Sequence, residues 1–237
     1  MNIKKIFFKN PSPVVLLSLV LIGIIPISAC NGSLSSSSKT DSDSSLISVN
    51  AVNWVEQGID KTETGHYQQA IENFNQAIIL DPKNVDAYFN RGFVYSQLKD
   101  FPKALADYQK ALEFEPELVE AYINRGNVYL ELEDYQKAIT DYTEALKFNP
   151  DEAFAHNNLA LAYFNLGNPE RAKLELTKAV ELDPAYGEAY FNRGLVFFEL
   201  GDEQKARADF QKAAQLWQQE GNPLGVEAAQ EQIRLLK

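Results

Sequence analysis

Small and apolar residues return along this chain at a fixed step of 34 positions. Gly58, Gly92, Gly126, Ala160 and Gly194 form one series; Ala70, Ala104, Ala138, Ala172 and Ala206 form a second. Ala77, Ala111, Ala145, Ala179 and Ala213 form a third, and Pro82, Pro116, Pro150 and Pro184 close four of the five steps. Inside one step the spacing is helical. Tyr88, Gly92 and Tyr95 share one face, and Ala104, Tyr108, Ala111 and Leu112 share another. Between them Asp100 is placed to cap a second helix and Pro102 fits its first turn. Pro116 stops that helix, because it has no N–H and clashes with the preceding turn. The pattern therefore predicts five helix–turn–helix repeats, 51–84, 85–118, 119–152, 153–186 and 187–220. None of them can bury its apolar face alone, so neighbours must stack.

The ends read differently. Gly221-Asn222-Pro223 is a break, and Leu224 to Leu236 is one more amphipathic stretch with Glu227, Gln230, Glu231 and Arg234 on its polar side. Residues 221–237 are expected to form a capping helix that keeps the last apolar face out of water. At the other end Lys4, Lys5 and Lys9 precede an apolar run from Val14 to Ile27 and then the sole cysteine, in Ile27-Ser28-Ala29-Cys30. That run is short for a bilayer span of about 20 residues, and residues 1–29 read as a secretion signal. Residues 30–50 are rich in serine and poor in apolar groups, which predicts a flexible tether spanning roughly 25 Å.

The repeat resembles the tetratricopeptide family. The matching residues are Trp54, Gly58, Ala70, Phe74, Ala77 and Pro82 in repeat one, and Tyr88, Gly92, Tyr95, Ala104, Tyr108, Ala111 and Pro116 in repeat two. Repeat three supplies Tyr122, Gly126, Tyr129, Ala138, Tyr142, Ala145 and Pro150, and repeat five Tyr190, Gly194, Phe197, Ala206, Phe210 and Ala213. Repeat four departs, with His156 and Leu176 at aromatic positions and Ala160 in place of Gly. The resemblance implies an all-α fold, a right-handed α-solenoid of five 34-residue units plus the C-terminal capping helix. It also implies a protein-binding role with a concave face lined by the first helix of each unit.

The segment ending at Cys30 resembles a bacterial lipobox. That resemblance implies cleavage before Cys30, acylation of its sulfur and anchorage on the extracytoplasmic face of a membrane of the cell envelope. Together the two resemblances are those of bacterial tetratricopeptide lipoproteins, scaffolds in envelope biogenesis and complex assembly. Similar Asn-Arg-Gly repeats occur in photosystem-assembly factors, which is a second possibility. A self-associating structural envelope protein, with a homodimer filling the concave face, is a third.

Charge narrows the partners. The net charge is −11, and losing Lys4, Lys5 and Lys9 with the signal would take it to −14. So acidic a chain is not expected to bind nucleic acid by neutralising phosphates, and any membrane attachment falls to the lipid. Basic or apolar extended segments are the favoured partners, although the acidity could also serve solubility alone. No catalytic residue, cofactor site or metal site is expected: His66 and His156 have no partner at ligand spacing, and no phosphate-cradling loop or nucleophile elbow occurs.

The candidate binding residues lie on the first helices. The sixth position of successive repeats is Glu56, Asn90, Asn124, Asn158 and Asn192. Asn both donates and accepts, so a row of carboxamides can pair with the main chain of an extended peptide. The row resembles the asparagine ladder of O-GlcNAc transferases. Phe89, Ile123 and Phe191 at position five, and Phe93, Asn127, Leu161 and Leu195 at position nine, are expected to form pockets beside it for alternating side chains. Glu63, Glu120, Glu131, Glu188 and Glu199 would rim this groove. The other reading of the ladder is that these asparagines pack adjacent repeats. Position seven carries Arg91, Arg125 and Arg193 only where position 23 carries Asp, which predicts ion pairs Arg91–Asp107, Arg125–Asp141 and Arg193–Asp209 within repeats.

Overall fold

The computed structural model describes residues 42–236. The expected signal, Cys30 and the tether up to Asp41 lie outside the described residues. Eleven helices and no strands are present among those residues, and no helix is long and apolar enough to cross a membrane. They are α1 (Ser42–Glu63), α2 (Tyr67–Leu80), α3 (Val85–Gln97), α4 (Phe101–Phe114), α5 (Val119–Glu131) and α6 (Tyr135–Phe148). The series continues with α7 (Ala153–Asn165), α8 (Pro169–Leu182), α9 (Gly187–Glu199), α10 (Glu203–Gln219) and α11 (Pro223–Leu235). Contacts gather these into two compact bodies, an N-terminal one ending at Val128 and a C-terminal one beginning at Tyr129.

Helix α1 begins at Ser42, within the segment expected as tether. The serine-rich composition argues against a helix nucleating there. Adding residues to a helix already held by packing, however, fixes one residue per new hydrogen bond and pays no nucleation cost.

Local chemistry sets six of the other helix starts. Asn84, Asp100, Asp134, Asn168, Asp202 and Asn222 each accept a hydrogen bond from the backbone N–H three residues on, relieving a donor that the first turn leaves orphaned. Pro102, Pro169 and Pro223 occupy first turns. His66 stands at the same point before α2 and makes no such cap.

In the N-terminal body, α1 packs on α2 and α3 on α4. The series of small residues lets the paired backbones approach until a ring fills the space beside them. A Cβ placed on Gly58 would lie 2.3 Å from the Phe74 ring, and one on Gly92 would lie 3.1 Å from the Tyr108 ring. Phe74 and Tyr108 are completely buried, worth roughly 2–3 kcal/mol each. In the C-terminal body, Gly194 meets Phe210 in the same way, with a Cβ distance of 2.6 Å. Repeat four solves the same problem with other residues. Leu176 replaces the ring, and the thinner side chain leaves room for the methyl of Ala160; both are buried.

The C-terminal body ends in a plug. Trp217 is buried between Phe191, 5.4 Å away ring to ring, and Ala228 and Ala229 of α11. Gly187 and Gly225 leave room for its indole, whose Nε1 donates to Glu188 at 3.2 Å. Arg207 donates to the carbonyls of Ile233 and Leu236, fastening the end of the chain to α10. Helix α11 packs on α10.

Candidate peptide-binding face

The first helix of each repeat carries the candidate residues, and burial divides them. Phe89, Ile123 and Phe191 are buried, at 4%, 2% and 7% exposure. Phe89 packs on the Tyr108 ring and Phe191 on Phe210 and Trp217. The expectation that these three line pockets is therefore corrected: Phe89 and Phe191 pack on rings of their second helices, and Ile123 is buried as well. Asn127 is also buried. Phe93, Leu161 and Leu195 at position nine are half-buried and present part of their surface, although Leu195 also packs against the cluster around Trp217.

The asparagine series splits as well. In the N-terminal body Asn90 and Asn124 are half-exposed, and Asn90 donates only to the Asp86 carbonyl of its own helix, at 2.8 Å. In the C-terminal body Asn158 and Asn192 are buried, at 6% and 7% exposure. Asn192 Nδ2 donates to Asn157 Oδ1 at 2.9 Å, and Asn157 Nδ2 donates to Asn158 Oδ1 at 3.0 Å. This relay ties repeat five to repeat four. In this body the packing reading of the series describes what the carboxamides do. The residue that sequence reasoning missed is Asn157. Its signal was present: position five is Val55, Phe89, Ile123 and Phe191 in the other repeats, and a polar group in that apolar series needs a buried partner.

Of the expected groove rim, Glu63 and Glu199 are exposed, whereas Glu188 is engaged by the Trp217 indole. The expected pairs Arg91–Asp107 and Arg193–Asp209, each within one body, form. Arg91 Nε and its second amino group reach Asp107 at 2.7 Å each, and Arg193 reaches Asp209 at 2.7 and 2.9 Å. Both carboxylates are nearly buried, and a two-pronged guanidinium satisfies both oxygens at once. Arg125 and Asp141 belong to different bodies. No group of three or more His, Cys, Asp and Glu residues suited to a metal ion occurs among the described residues.

Family models of the tetratricopeptide repeat match residues 60–99 with 126–167, 85–118, 107–140 and 157–220. Together they run without a gap from 60 to 220. The chain is a tetratricopeptide repeat protein. Comparison with curated proteins finds no match. Among solved structures, MamA from Desulfovibrio magneticus RS-1 is 21% identical, over 72% of this chain and 96% of its own, with a TM-score of 0.66. PilF of Pseudomonas aeruginosa is 18% identical, over 81% and 93%, with a TM-score of 0.67. YrrB, described as a tetratricopeptide protein with an unusual peptide-binding site, is 22% identical, over 76% and 92%, with a TM-score of 0.61. At these identities the likeness is one of fold, that of a tetratricopeptide solenoid.

Proposed function

We propose that this tetratricopeptide protein is a membrane-anchored adaptor that holds an extended segment of a partner protein against the first helices of its repeats. The observation that carries this reading is the state of those helices once the core is complete. Their position-five side chains are consumed by packing, while Asn90, Phe93 and Asn124 in the N-terminal body, and Leu161 and Leu195 in the C-terminal body, keep part of their surface outside it. Within the N-terminal body, half-exposed carboxamides on first helices, one of which also carries the half-exposed Phe93, suit a strand-like peptide, whose main chain needs hydrogen-bond partners and whose side chains alternate. The acidity of the chain favours a basic partner segment.

The anchor is Cys30, acylated after removal of residues 1–29. This places the repeats on the extracytoplasmic face of a bacterial membrane, in envelope biogenesis or complex assembly. Metabolic labelling with an alkynyl fatty acid tests it: the native chain takes the label and partitions with membranes, and Cys30→Ala takes none and is released. A native chain without label would refute the anchor.

The binding face is tested by affinity capture from envelope extract with the native chain and with a variant carrying Asn90→Ala, Phe93→Ala and Asn124→Ala. Circular dichroism checks its fold. Proteins retained by the native chain and lost by the variant support the groove. Equal capture by both moves binding to another surface, and capture of the chain itself alone points to self-association.

A further inference from the structure

Repeat four lacks an arginine that repeats two, three and five carry, and the place of that arginine is open. In repeats two and five, Arg91 and Arg193 lie over the rings of Tyr88 and Tyr190, at 5.5 and 5.4 Å, while they grip Asp107 and Asp209. The outer arm of Arg91 also reaches Asn75 of the preceding repeat at 2.5 Å, and Arg125 likewise reaches Gln109 at 2.7 Å. Each guanidinium thus bridges the second helix of its own repeat or of the one before. In repeat four the corresponding residues are Leu159 for the arginine, His156 for the tyrosine, Glu175 for the aspartate, and Thr143 for the acceptor in the preceding repeat.

The result is a cleft of about 520 Å³ between α6, α7 and α8, lined in part by Thr143, Leu146, Lys147, Pro150, Leu159 and Glu175. Leu159 replaces the stem of the missing side chain but not its charged head. One carboxylate oxygen of Glu175, Oε2, accepts from His156 Nδ1 at 2.7 Å, and the other ring nitrogen lies 3.0 Å from the Pro150 carbonyl. The remaining oxygen, Oε1, has a long contact of 3.5 Å with Lys178. So a half-buried carboxylate with one weakly engaged oxygen faces a mostly apolar cleft.

We propose that this cleft receives an arginine side chain from a partner protein, which supplies in trans the guanidinium that repeat four does not have. The stem lies along Leu146 and Leu159, one arm donates to Glu175 Oε1, and another reaches toward the Thr143 hydroxyl. Lysine suits the place less well, since all its donors start from one compact nitrogen, whereas the guanidinium spreads its donors over three nitrogens in a planar fork that can reach acceptors on different helices. Of the two lysines at the rim, Lys147 is held by Glu144 at 2.5 Å, whereas Lys178 must give up its long contact. The net charge of −11 draws basic segments toward the chain. The inference rests on the protein-interaction reading but not on its groove, because none of the four asparagines of the series lines this cleft.

The test is a methyl NMR titration of the full chain with acetyl-Ala-Arg-Ala-amide, set against the same peptide with citrulline, which keeps the shape and loses the charge. The arginine peptide is expected to shift the methyl signals of Thr143, Leu146 and Leu159, with the citrulline peptide about tenfold weaker. Glu175→Gln should weaken the arginine peptide about fivefold or more, and Lys178→Ala should strengthen it. Leu159→Arg, which gives repeat four the residue of repeats two, three and five, should fill the cleft from within and abolish the shifts. Equal shifts with citrulline, binding that survives Glu175→Gln, or no shifts at all would overturn the proposal. Loss of capture by the Asn90, Phe93 and Asn124 variant with an intact titration here would separate the two sites.

Discussion

Gly194 and Ala160 occupy the same position in two repeats, yet their neighbours make opposite demands. A methyl on Gly194 would press into the Phe210 ring at 2.6 Å, so Gly194→Ala is expected to destabilise by about 1–3 kcal/mol. Ala160 faces Leu176 without such a conflict, and Ala160→Gly should cost about 1 kcal/mol through helix propensity and lost contact. Urea midpoints of the two variants check this, with the pairing idea refuted if Gly194→Ala is tolerated. The small-next-to-large rule was legible in the sequence, because it follows from one pair of positions repeated at a fixed step. The fate of the asparagines was not. Whether a carboxamide faces outward or a neighbour depends on the side chain beside it, and Asn157 turns Asn158 and Asn192 inward. The position-five apolar residues were misplaced for a related reason: a helical period assigns a face, but the partner helix decides which face is core.

At the scale of elements, the turns between paired helices need one residue with positive φ. Gly65, Gly167 and Gly201 supply it without strain, whereas Glu133 holds φ 58° with a Cβ in the way. Glu133→Gly is therefore expected to stabilise by about 0.5–1 kcal/mol, read as a higher urea midpoint; an unchanged or lower one would refute the strain. The helix caps give a pH dependence. A hydrogen bond from the lysine three residues on holds the carboxyls of Asp100, Asp134 and Asp202 below the usual aspartate range. A carboxyl depressed in the folded state contributes stability that is present above its unfolded value, about 3.9, and lost as pH falls through the folded one. Replacing all three by Asn keeps the caps but removes this dependence, so thermal midpoints of the variant should fall less steeply below about pH 4. Equal slopes would show that the caps are not the source. These caps were readable from Asp and Pro in the linkers, and α11 from its polar face. The start of α1 at Ser42 was not, because composition speaks to nucleation and not to extension from a packed helix.

Over the whole molecule, a repeat protein distributes its stability among neighbouring units and leaves repeated first-helix faces for other chains. The fold was legible almost entirely, since a 34-residue period needs no long-range inference. The ligand was not, for the period fixes where side chains stand and says nothing of what they meet. Selection of peptides from a display library by the immobilised chain addresses that directly, with the native chain set against a variant bearing Phe93→Lys, Leu161→Lys and Leu195→Lys. The native chain is expected to enrich extended segments with alternating apolar residues and basic charge, their binding to weaken with salt, and the variant to lose them. Enrichment of no peptide class, or of one that binds both chains equally, would contradict a peptide-binding face on the first helices.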